Sequence, residues 1–200
     1  MRAMDARKIA GGWVTATLLA TALVGCGSGS ISVEPGAEVD EAAQTLPALT
    51  ADWQVRHPVR TEIYSNDSYN LLNPYLQQYI RYKVREYGID LVWSPNPVSP
   101  RPIRFRKYSG VVGPVKYDER IAISVEGGGY LRYQEREYGI NLVWSNEPAY
   151  EWRLRGGTAG NNVRIGSSVI LWNDVIHNSV VYCHREYGIN LRWATDCENR

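Results

Sequence analysis

Phenylalanine is almost missing: Phe105 is the only one in 200 residues, against 14 tyrosines and 7 tryptophans. Tyr and Trp join a polar handle to an apolar body, so they suit half-exposed positions and binding surfaces. Histidine is scarce as well. His57, His177 and His184 do not form a metal-ligand spacing. There is no nucleophile-elbow motif and no phosphate-binding glycine loop; "EGGGY" at 126–130 reads as a hairpin turn. His184 adjoins Cys183, but neighbours on a strand point to opposite faces and make a poor thiol–imidazole pair. These absences argue against an enzyme, and no metal or cofactor is expected. Residues 51–200 hold 19 of the 22 Lys/Arg and 16 of the 21 Asp/Glu, an excess of three positive charges. That is too mild for a nucleic-acid partner.

The N-terminal end has its own pattern. Arg2, Arg7 and Lys8 precede a mostly apolar or small-residue run over 9–25, which ends in Leu23-Val24-Gly25-Cys26. This order is that of a signal peptide, not a spanning helix. It resembles the lipobox of bacterial lipoproteins. The resemblance implies a signal peptide over 1–25, cleavage before Cys26, and acylation of its sulfur, as with palmitate. The protein would then face the extracytoplasmic side of a cell membrane, held by its lipid. Residues 27–50 hold Glu34, Glu38, Asp40 and Glu41, no basic residue and a Gly/Ser start. With Cys26 they read as a lipidated flexible tether over 26–50. Residues 51–200 form one domain, expected to be monomeric. Its two cysteines, Cys183 and Cys197, are either free thiols or a disulfide closing a short loop, which would stabilise by ~3 kcal/mol.

Within that domain one phrase occurs three times: "REYGIDLVW" at 85–93, "REYGINLVW" at 136–144 and "REYGINLRW" at 185–193. An echo lies upstream of each: "WQVR" at 53–56, "IRFR" at 103–106 and "WRLR" at 152–155. The runs are short, alternating and rich in Val, Ile, Tyr and Trp, with Gly, Pro, Asn and Ser between them. No run of helical period reaches ten residues. Each repeat therefore reads as about four strands, over about 51–97, 98–148 and 149–197.

Parity fixes the register of the phrase. A four-residue loop, Arg136 to Gly139, sets Tyr133 opposite Leu142 and Leu131 opposite Trp144, so the large apolar residues share one face. A shift of one residue would reverse every side chain. The same register pairs Arg81 with Val92, Arg132 with Val143, Val181 with Arg192 and Lys83 with Asp90. Gly139 is then expected in the left-handed region. The core expected from this is Ile80, Tyr82, Leu91 and Trp93; Leu131, Tyr133, Leu142 and Trp144; Val180, Tyr182, Leu191 and Trp193; with Val55, Phe105 and Leu154.

Three repeats of about 50 residues, each of four strands, resemble the β-trefoil family, an all-β fold. The resemblance implies a six-stranded barrel with three hairpins closing one end. Many trefoils are lectins, and the ricin-type lectins repeat Gln-x-Trp; here Leu-x-Trp stands at 91–93, 142–144 and 191–193. The expected function is a non-enzymatic carbohydrate-binding module. Its candidate contacts are Tyr87, Tyr138 and Tyr187 on the turns, then Asp90, Asn141 and Asn190. The alternative is a protein-binding or protease-inhibitor-like trefoil acting on a cell-surface partner. It would act through variable loops at 94–102, 107–119 and 156–167. The basic run Arg104, Arg106 and Lys107 is either a solvated strand face or a contact for an acidic partner.

Overall fold

The computed structural model describes residues 52–197. The expected signal peptide over 1–25 and lipidated tether over 26–50 lie outside the described residues. The alternating segments form twelve antiparallel strands. These are β1 Trp53–Arg56, β2 Ser68–Asn73, β3 Gln78–Tyr82, β4 Leu91–Ser94, β5 Ile103–Lys107 and β6 Ile121–Val125. They continue as β7 Gly129–Tyr133, β8 Leu142–Ser145, β9 Trp152–Arg155, β10 Ser168–Asn173, β11 Asn178–Tyr182 and β12 Leu191–Trp193. Among the described residues the only helical element is a 3-10 turn, Ala194–Asp196.

Six strands pair in a circuit that closes on itself: β1 with β2, β2 with β5, β5 with β6, β6 with β9, β9 with β10, and β10 with β1. The other six form hairpins β3–β4, β7–β8 and β11–β12, borne on β2, β6 and β10. Closure leaves the six circuit strands without the free edges that make open sheets prone to aggregate, while β4, β8 and β12 each pair on one side only. Alternation explains the inside of the circuit. Trp53 and Val55, Ile103 and Phe105, and Trp152 and Leu154 point inward and are essentially fully buried.

Three connections between strands meet each other. Ile63 N–H donates to the Val163 carbonyl (3.0 Å), Val163 to Val115 (2.9 Å) and Val115 to Ile63 (2.7 Å). All three residues are fully buried. Each connection also donates to an inward strand residue: Asn66 to Phe105 (2.8 Å), Asp118 to Leu154 (3.0 Å) and Gly166 to Val55 (2.9 Å). The stretches 107–119 and 156–167 are therefore only partly variable. The first carries Val115 and Tyr117 into the core, and the second carries Val163, with Ile165 packed against that core.

The hairpin register is the expected one. Tyr133 pairs with Leu142, Leu131 with Trp144, Arg81 with Val92, Arg132 with Val143 and Val181 with Arg192. Lys83 N–H donates to the Asp90 carbonyl at 3.1 Å. Gly139 has φ 100°. The "EGGGY" segment is a turn in which a side chain at Gly128 would meet the Trp144 ring at 2.7 Å.

Depth departs from expectation. Ile80, Leu91, Leu142, Val180, Leu191 and Trp193 are buried, but Tyr82, Trp93, Leu131, Tyr133, Trp144 and Tyr182 are only half-buried. Both sets lie on the hairpins. Five of the six half-buried residues are Tyr or Trp, whose rings pair between hairpins while the smaller aliphatic residues beside them reach the core. Cys183 and Cys197 form a disulfide, with Cα atoms 5.9 Å apart, that ties the end of β11 to the chain beyond β12.

Candidate functional site

The repeated phrase forms a loop that braces itself. Asp90 Oδ1 accepts from the Arg85 amide (2.8 Å), Asn141 Oδ1 from the Arg136 amide (3.1 Å) and Asn190 Oδ1 from the Arg185 amide (3.0 Å). Each arginine then turns back to the strand. Arg85 Nη1 donates to the Leu91 carbonyl (3.2 Å), Arg136 to Leu142 (3.2 Å) and Arg185 to Leu191 (3.4 Å). Ile89, Ile140 and Ile189 are buried. Arginine, glycine, isoleucine and the Asp/Asn thus hold the loop in shape. The tyrosine is left outward: Tyr87, Tyr138 and Tyr187 are 77%, 77% and 76% exposed. Glu86, Glu137 and Glu186 beside them are also exposed.

The hairpins interlock through aromatic pairs. Tyr82 meets Trp144 edge-on at 5.7 Å, Tyr133 meets Trp193 at 5.9 Å, and Tyr182 meets Trp93 at 6.2 Å. Trp193 Nε1 donates to the Ile140 carbonyl at 2.9 Å, so the strand end of one phrase grips the loop of another. Two clefts lie at such contacts. One, of about 450 Å³, has Arg85, Val92, Trp93, Gly188 and Ile189 in its walls. The other, of about 150 Å³, has Gly139, Ile140, Arg185, Arg192 and Trp193.

A larger cleft, of about 550 Å³, lies elsewhere, and the sequence reading missed it as a unit. Its floor is a row across four strands. Ser68 pairs with Arg104, Arg104 with Ser124, and Ser124 with Tyr130. Arg106, two residues along β5, lies on the same outward face. His57, Arg60 and Arg101 complete the walls. Arg101 Nε donates to the Ser68 carbonyl (2.8 Å) and Arg104 Nε to Ser68 Oγ (3.0 Å). The Arg106 guanidinium pKa is raised, chiefly by a hydrogen bond to the Tyr130 side chain. Arg60 pairs with Asp67 at 2.9 Å. His57 Nδ1 accepts from the Val59 and Arg60 amides (3.1 and 3.0 Å), which puts the proton of the neutral ring on Nε2. Burial and then Arg101 lower the His57 pKa from its ordinary value of 6.5.

The run Arg104, Arg106, Lys107 hinted at this cleft but splits within it. Lys107 turns inward, pairs with Glu119 at 3.2 Å and donates to the Pro114 carbonyl at 3.1 Å. Among the described residues no group of three or more His, Cys, Asp or Glu is placed to hold a metal ion. None of their helices is long and apolar enough to cross a membrane. No protein-family model matches this chain, and neither a curated protein nor a solved structure matches it.

Proposed function

We propose that this chain is a β-trefoil lectin-like module, anchored by a lipid on Cys26 to the extracytoplasmic face of a cell membrane, that binds neutral sugars through its hairpin tips. The trefoil reading is supported by the closed six-strand circuit and the three hairpins. One observation carries the function: Arg, Gly, Ile and Asp/Asn of the phrase all shape the loop, while Tyr is held outward three times to within one percentage point. An exposed aromatic ring beside a carboxylate offers a stacking face and an acceptor for sugar hydroxyls. Asp90, Asn141 and Asn190 support those tips and do not themselves meet the ligand. The tether over 26–50 would give a monomer reach to a glycan beyond its own membrane. No cofactor is needed and no bond is broken.

The test is the full chain in detergent on an array of neutral and acidic glycans. The expected result is saturable binding of neutral glycans that falls at least tenfold when Tyr87, Tyr138 and Tyr187 are all changed to Ala, with unchanged thermal unfolding. Absence of neutral-glycan binding would sink the reading.

The protein-binding alternative has its own observation. Val111 and Val112 are exposed in the connection between β5 and β6, next to Tyr108, whose ring is flanked by Tyr150 and Arg120. Replacing Val111 and Val112 by Ser would abolish capture of a cell-surface protein on this reading and leave glycan binding intact.

A further inference from the structure

The basic cleft is distinct from the hairpin tips. We infer that it is a second binding site, for an acidic saccharide unit: a sugar ring bearing a carboxylate. Four guanidiniums, from Arg60, Arg101, Arg104 and Arg106, share a space with a single carboxylate, Asp67, which is already paired with Arg60. Like charges gathered in this way repel unless an anion joins them. Their geometry favours capture. Arg101 and Arg104 are each held through Nε by Ser68, which orients both guanidiniums, and Arg104 Nη2 makes only a long, exposed contact with Glu126. Glu126, the nearest acid to Arg104, is 3.8 Å away and sits outside the cleft walls. A fixed planar fork of N–H groups matches a carboxylate better than a flexible ammonium does.

The remaining walls fit a sugar body more than a bare ion. Tyr130 supplies a ring, and Asn66, Ser124 and the Nε2–H of His57 supply partners for hydroxyls. A volume of about 550 Å³ exceeds what one small anion fills and falls within the range of small-ligand pockets. β9 carries the same alternating pattern without such a cleft. Arg153 there pairs with Asp174 at 2.8 Å and Arg155 with Asp118 at 2.7 Å. Guanidiniums with no close carboxylate are therefore a property of β5, where Arg104 has only the long Glu126 contact and Arg106 bonds the neutral Tyr130.

The experiment is a calorimetric titration of the full chain in detergent with three probes: trigalacturonate, its methyl ester, and inorganic phosphate. Trigalacturonate is expected to bind at one site, and the methyl ester at least tenfold more weakly. Arg101→Gln with Arg106→Gln should weaken trigalacturonate at least tenfold, while Arg120→Gln, outside the cleft, should not. Arg106→Gln alone, at an exposed side chain, serves if the double variant unfolds. The triple tyrosine variant should bind trigalacturonate as before, which separates this site from the tips. Equal affinity for acid and ester, no binding of trigalacturonate, or indifference to the arginine changes would overturn the inference. Phosphate binding as tight as trigalacturonate would overturn the saccharide part and leave only an anion site.

Discussion

β5 and β9 are near copies that face the solvent differently. Both alternate an inward apolar residue with an outward arginine, "IRFR" and "WRLR". Inside, Phe105 and Leu154 are equally buried, and each carbonyl accepts an amide from a connection, Asn66 or Asp118. Outside they diverge. Arg155 pairs with Asp118 and lies over the Trp172 ring at 4.0 Å. At the matching places near β5 stand Asn66, which is neutral, and Ser124, which is small. Asn66 in place of Asp118 leaves Arg106 without the carboxylate that Arg155 has, and Arg104 meets Glu126 only at 3.8 Å where Arg153 meets Asp174 at 2.8 Å. The inner half of each strand is fixed by the barrel, and the outer half is free to specialise.

The largest expected effect tests the shared half. Phe105→Ala and Leu154→Ala should each lower stability by about 2–5 kcal/mol, because both leave a cavity that the barrel cannot close. Denaturant unfolding monitored by tryptophan fluorescence measures this. A large loss in one strand and none in the other would mean that the two do not occupy equivalent interiors.

The next effect tests the divergent half. Asn66→Asp with Ser124→Trp rebuilds the β9 arrangement around β5. Asn66 and Asp118 both have positive φ, 69° and 62°, and aspartate tolerates that region. The new carboxylate should pair with Arg106 and the indole should cover the floor. Trigalacturonate affinity should then fall at least tenfold, about 1.4 kcal/mol. Unchanged affinity would show that the β5 guanidiniums are not what holds the ligand.

A smaller effect separates the acids. Asp174 accepts from Arg153 Nε through both oxygens at 2.8 Å. Asp174→Asn should cost about 1–2 kcal/mol, since the pair is half-buried and charge-assisted. Glu126→Gln should change stability by less than about 0.5 kcal/mol, because its contact to Arg104 is long and exposed. Thermal unfolding at low salt compares the two.

This contrast also shows what the sequence could and could not reveal. The hairpin register was legible from Leu131, Tyr133, Leu142 and Trp144 alone, because a period of two admits only one pairing with a common apolar face. Depth was not legible. Alternation tells which way Trp144 or Tyr82 points, not how much of each ring its neighbours cover. Ile63, Val115 and Val163 were hidden for another reason: they lie outside the strands, in connections where Val111 and Val112 are exposed and Val115 is buried, so residue type does not tell which one enters the core. The sequence left Cys183 and Cys197 open as free thiols or a disulfide, and the structure joins them. The cleft was legible only in part, through Arg104 and Arg106. His57, Arg60 and Arg101 reach it from other connections, and nothing in their local sequence tells that they converge. Charge counting could not find it either, since the acids that neutralise β9 mask the excess at β5.

The smallest effect concerns pH, and it belongs to β5 alone because His57 is part of that cleft. His57 is faced by Arg60, Arg101 and Asp67 and packs on the Tyr69 ring at 5.5 Å. Its folded pKa is lowered, so the folded state takes up its proton later than the unfolded chain does. Stability is therefore full above 6.5 and declines as pH falls from 6.5 toward the lowered folded value. Protonation also removes the acceptor that the Val59 and Arg60 amides use. A carboxylate bound among the arginines works in the opposite direction: it favours the imidazolium and should raise the His57 pKa, so binding tightens as pH falls. NMR titration of the ring protons reads this directly. Arg101→Gln should move the His57 pKa upward in the free protein, since the second cause of the lowering is gone, and saturating trigalacturonate should move it upward in the native chain. A His57 titration indifferent to both would mean that Arg101 and the ligand do not share its field, and the cleft would lose its claim to be one site.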